Sequence, residues 1–134
     1  MKKIIIFLFC IFSIQNAFAQ RNYIIPEPTN ISFLNSEDIG FRLSKKTSIE
    51  FRGVEKSKVY INDFLKFMEN ETGFILNEKT NKKSNIIFKT QDGINNLGNE
   101  GYKLSIIPKE SILLEANTEN GLFYGIETLK QIIH

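Results

Sequence analysis

The side chains of this sequence that could move a proton are carboxylates. Glu37-Asp38, Glu69 with Glu71, Glu115, and Glu119 with Glu127 are the right types for general acid/base work, in which two groups of unlike proton affinity flank a reacting bond. Each also has a plainer setting. Glu37 and Asp38 stand in a polar loop, and Glu69 and Glu71 at the solvated end of a helical pattern. Glu119 opens the last helix, where a negative charge complements the helix dipole. Glu115 interrupts the apolar run ILLEA, and alternation points it outward. None of these residues is expected to be catalytic.

Other chemistries fare no better. The one histidine, His134, is the last residue given, with nothing after it to orient it, so a Ser-His-Asp arrangement is discarded. A metal site would need carboxylates without imidazole, and no calcium-loop spacing occurs. Asp92-Gly93 reads as a turn, and Gly98-Asn99-Glu100-Gly101 lacks the lysine and following helix of a phosphate loop. Lys79, Lys82 and Lys83 form a basic connector that reads as a solvated loop before a ligand patch. Asn30-Ile31-Ser32 and Asn70-Glu71-Thr72 match the glycosylation sequon, a pattern short enough to arise by chance. The sequence therefore predicts no catalytic residue, no metal and no cofactor.

Residues 1–19 read as a cleaved secretory signal. Lys2 and Lys3 are followed by the apolar run Ile4 to Ile14 and by the small-x-small site Ala17-Phe18-Ala19. The run is too short to span a bilayer, which takes about 20 residues; a retained N-terminal anchor is the alternative. Cys10 lies inside the run behind the bulky Phe9, unlike a lipid-attachment cysteine, and it is the only cysteine. The mature chain is thus expected to be exported, to the periplasm or beyond, and free of disulfides. Of 17 basic residues, Lys2 and Lys3 fall in the signal, leaving the rest balanced against 15 acidic ones. That balance supports neither nucleic-acid nor membrane binding after cleavage.

Residues 20–134 suffice for one domain with a core, built largely on Phe33, Phe41, Phe51, Phe64, Phe67, Phe74, Phe88 and Phe123. The elements follow from periodicity. Tyr23 to Pro28 is a stiff lead-in or an edge strand. Asn30–Leu34, Thr47–Phe51, Phe74–Leu76, Asn85–Lys89, Tyr102–Ile106 and Ile112–Ala116 are strands, the last two joined at Pro108 as an antiparallel hairpin. Lys56–Thr72 is a helix with Ile61, Phe64, Leu65 and Met68 on its inner face, Ser57 as N-cap and Gly73 as terminator. A final helix, capped by Asn117 or Thr118, turns Leu122, Ile126, Leu129 and Ile133 inward. Gly121 and Gly125 cost about 1 kcal/mol each against alanine, so they signal close packing. The order predicts an α+β fold, a small mixed or antiparallel sheet with helices on one face.

EGYKLSI, the turn at Pro108 and EANTENGLFYGIETLKQII, with IIPEPTNISF near the start, resemble the N-terminal, non-catalytic domain of family 20 glycoside hydrolases, the β-N-acetylhexosaminidases. In that family the domain precedes a catalytic (β/α)8 barrel whose adjacent Asp-Glu pair works with the substrate's own 2-acetamido group, an exception to two-carboxylate hydrolysis. Residues 20–134 are too few for such a barrel, which takes about 250. The resemblance therefore implies an accessory domain that supports a barrel lacking from this chain, with the glycan substrate reached only through that barrel. It also implies that the last helix packs toward the barrel, offering a reason for Gly121 and Gly125. A standalone secreted module binding a glycan or a protein is the alternative.

Overall fold

A computed structural model describes residues 24–32, 40–55, 58–79, 84–93 and 96–133. The expected signal (1–19), Glu37, Asp38, Ser57, Lys82, Lys83 and His134 lie outside them. The described chain runs β1 (Ser48–Arg52), α1 (Val59–Thr72), β2 (Asn77–Glu78), β3 (Ile86–Thr90), β4 (Tyr102–Ile107), β5 (Ser111–Ala116) and α2 (Glu119–Ile133). The strands form one mixed sheet in the order β2-β1-β3-β5-β4. All neighbours are parallel except the β4–β5 hairpin. This is the expected α+β architecture, with a more parallel sheet than an all-antiparallel reading would allow.

Register sorts the side chains. Ile49, Ile86 and Ile112 line up across three strands, as do Phe88 and Leu114, and all five are buried. Side chains alternate between faces along a strand, so this set defines the inner face. Both helices cover it. Phe64 of α1 packs against Phe88 with the rings tilted at 56° and 5.1 Å between centroids, and Phe51 meets the same ring edge-on at 5.9 Å. From α2, Leu122, Ile126 and Leu129 are fully buried, and Thr128 bonds the Tyr102 hydroxyl of β4 at 2.6 Å. The helix faces read from the sequence are thus the buried ones, Ile61, Phe64 and Met68 included.

Glycine acts in two ways. Gly73 ends α1 at φ 69°, the left-handed region, with its N–H returned to the Glu69 carbonyl at 2.9 Å. Gly121 and Gly125 let α2 settle on the sheet: a Cβ at Gly121 would fall inside contact distance of the Gly101 carbonyl oxygen, and one at Gly125 would collide with a Leu114 methyl. This corrects the expectation drawn from the resemblance. Both glycines serve the domain's own core.

Four local expectations are also corrected. Phe74–Leu76 is not a strand, because the end of α1 engages the backbone there: the Thr72 hydroxyl donates to the Met68 carbonyl at 2.5 Å and accepts from Phe74 N–H at 3.1 Å. Pairing starts only at Asn77. The N-cap position of α1 is held by Lys58, extended at ψ 134° and without a side-chain cap bond, where Ser57 was expected. Residues 30–32 form no strand, and Phe33 and Leu34 lie outside the described residues. Phe123 is 40% exposed, since one residue beyond Leu122 on a helix rotates about 100° off the inner face.

Candidate functional site

Ligand sites in open parallel sheets lie beyond the carboxyl ends of strands, where connections leave to opposite faces. Here the connections after β1 and β5 lead to helices on the same face, and the strand ends are laced together. The Thr90 hydroxyl donates to the Gly53 carbonyl, and Gln91 N–H to the Ala116 carbonyl at 3.1 Å.

Of the expected carboxylates, Glu115, Glu119 and Glu127 are tied to cations. Glu119 and Glu127 are eight residues apart on α2, about 12 Å along the axis. Glu119 takes Lys58 at 3.0 Å, beside Glu55 on the same ammonium at 3.3 Å; hydrogen bonds to Glu119 and then Glu55 hold Lys58 above the usual lysine range. Glu127 takes Lys130 at 2.8 Å, and the same ammonium reaches Asp63 of α1 at 2.5 Å and lies 5.8 Å over the Phe67 ring. Both bridges start from the first turns of α1, at Lys58 and Asp63, while on α2 they reach from Glu119 to Lys130. Glu115 faces Lys89 on the far side of the sheet at 3.7 Å. Glu50, on that side too, is held below the usual carboxylate range by its hydrogen bond from Arg52, the opposite of what a general acid needs.

Glu69 lies beside a groove of about 350 Å³ lined by Asn62, Leu65, Lys66, Ile75 and Leu76. The groove offers a single carboxylate, so it cannot supply an acid/base pair. Among the described residues no group of three or more His, Cys, Asp or Glu side chains could hold a metal ion, and no helix is long and apolar enough to cross a membrane. Lys79 leaves β2 at the sheet edge, its N–H bonded to the Ile49 carbonyl at 3.0 Å.

The outer face of the helix layer is the surface that stands apart. Tyr60, Phe123 and Tyr124 form a chain of edge-on aromatic contacts, 6.1 and 5.5 Å between centroids. Phe123 and Tyr124 are each 40% exposed, Ile132 43% and Val59 82%. Scattered exposed apolar residues are ordinary, whereas neighbouring aromatics on one face mark an interaction surface. The sequence held this signal unread: Leu122, Phe123 and Tyr124 are consecutive, and three consecutive large side chains cannot share one helix face.

Comparison with known families adds one finding. The family model described as glycosyl hydrolase family 20, domain 2, matches residues 21–134. No curated protein matches the chain.

Proposed function

Because the chain belongs to glycosyl hydrolase family 20 as its domain 2, we propose that it is the N-terminal accessory domain of an exported β-N-acetylhexosaminidase. Its partner is a catalytic (β/α)8 barrel that removes terminal N-acetylhexosamine, and the domain supports that barrel without taking part in bond cleavage. Export rests on the signal-like pattern of residues 1–19, with residues 20–134 as the accessory domain.

The observation that carries the reading is the exposed aromatic face of the helix layer. Phe123 and Tyr124, in edge-on contact with Tyr60 and with each other, present apolar area from a domain whose own core is complete without them. Aromatic residues of this kind anchor protein interfaces. Lys58, Glu119, Lys130 and Asp63 would form its polar rim. Catalysis is assigned to the barrel because the described carboxylates that come together, Glu55 with Glu119 and Asp63 with Glu127, do so around a shared lysine ammonium.

The test mixes the purified chain with a family 20 catalytic barrel from the same genome. Co-elution is expected, and Phe123→Ser with Tyr124→Ser should weaken it about tenfold or more, as for paired aromatic anchors. A native chain that never co-elutes, or a double variant that binds equally well, refutes the docking face. Turnover of a chromogenic N-acetylglucosaminide by the chain alone would refute the non-catalytic role.

A further inference from the structure

The sheet face opposite the helices has an order of its own. Register aligns Arg52, Lys89, Glu115 and Lys103 in one row across four strands. The next row toward the strand starts is Glu50, Ile87, Leu113 and Ser105. The first row spans three strand spacings, about 14 Å, and the second runs about 7 Å from it.

The charges on this face are layered. Arg52 is 50% exposed while its partner Glu50 is 12% exposed, at 2.8 Å. Lys89 is 30% exposed over Glu115 at 17%. Lys103 is exposed and has no ion-pair partner among the described residues. Three cations therefore stand outermost, and the two carboxylates lie beneath them. The balance is one net positive charge, and the potential met from solvent is more positive than that balance.

We propose that this face binds an anionic glycan laid across the strands, its pyranose C–H faces on Ile87 and Leu113 and its carboxylate or sulfate groups on Arg52, Lys89 and Lys103. Charge complementarity selects the anionic substituents. The apolar pair in the next row, Ile87 and Leu113, selects rings that carry those substituents, because a small free anion would leave that pair unused. The choice of a glycan rests on the accessory-domain reading above. The face lies opposite the aromatic helix surface, so a barrel docked on the helices would not cover it. Holding polymer on the accessory domain would raise its effective concentration at the barrel.

The test titrates a chondroitin sulfate tetrasaccharide, in which uronate alternates with sulfated hexosamine, into the isotope-labelled full chain. Amide shifts are expected at Arg52, Ile87, Lys89, Lys103 and Leu113. Lys103→Glu should weaken binding about fivefold, the scale of one exposed charge contact. Lys66→Glu, the same charge change on α1, should leave it unaltered, and uncharged chitotetraose should bind far more weakly. Circular dichroism checks folding, with Lys103→Gln as a milder second variant. No shifts, shifts over the helix layer, equal weakening by both charge reversals, or equal binding of chitotetraose would each overturn the proposal. Polyglutamate of the same charge number binding as tightly would reassign the face to acidic proteins. Failure here leaves barrel co-elution untouched, so the two readings fail separately.

Discussion

At the residue scale the close approach of α2 to the sheet is the sharpest constraint. The atom facing Gly121 is a backbone carbonyl oxygen, while the atom facing Gly125 is the end of the Leu114 side chain. A carbonyl held in its chain cannot step aside as a methyl can. Gly125→Ala is expected to cost about 1 kcal/mol, overpacking partly offset by helix propensity, and Gly121→Ala about 2–3 kcal/mol. Urea denaturation of the two variants checks the order as well as the sizes. Ser48 offers a contrast: it is fully buried on β1, and its hydroxyl has no hydrogen-bond partner among the described residues. An unmet buried hydroxyl costs about 1–3 kcal/mol, so Ser48→Ala is expected to raise stability by about 1 kcal/mol in the same experiment. The sequence announced Gly121 and Gly125 through their four-residue spacing on a helix, but their neighbours are set by register and were hidden from it.

At the element scale the helices hold each other by more than apolar contact. Lys130 bridges Asp63 and Glu127 with its ammonium 5.8 Å over the Phe67 ring. Lys130→Met keeps the stem and loses the charge; a cost near or below 1 kcal/mol is expected, with Lys130→Ala costing about twice that, because exposed carboxylate partners contribute little and packing contributes the rest. Burial works against the Lys130 ammonium, but Asp63 and Glu127 outweigh it and raise its pKa. Burial, then the charge of Glu119, raises that of Tyr60. Both groups hold their proton more tightly folded than unfolded. Their contribution is whole below the ordinary values near pH 10 and is lost as pH rises through the higher folded values. Thermal midpoints should fall above about pH 10, and Tyr60→Phe combined with Lys130→Met should flatten that fall. Periodicity found these helices because Ile61, Phe64 and Met68, and Leu122, Ile126 and Leu129, repeat with the helical turn. It missed β2 because two residues, Asn77 and Glu78, are too few to show an alternation, and their pairing is dictated by Ser48 and Ile49 some thirty residues earlier.

At the scale of the whole molecule the two broad faces differ in kind, one aromatic and one cationic. The isolated chain leaves Phe123, Tyr124 and Ile132 in water. It should bind a hydrophobic dye and self-associate as concentration rises, and Phe123→Ser with Tyr124→Ser should reduce both in light scattering and dye fluorescence. A strictly monomeric, dye-silent chain would contradict this. The strand order has one more consequence, in time as well as space. β5 is the last strand in the sequence, yet it lies between β3 and β4. While the chain is being made, the edge of β3, with Ile86 and Phe88, must wait unpaired until Ser111 to Ala116 arrive to fill the gap. β4 pairs with β5 alone, so the last of these five strands acts as the keystone: its arrival gives β4 a partner and joins the pair to the β2-β1-β3 piece.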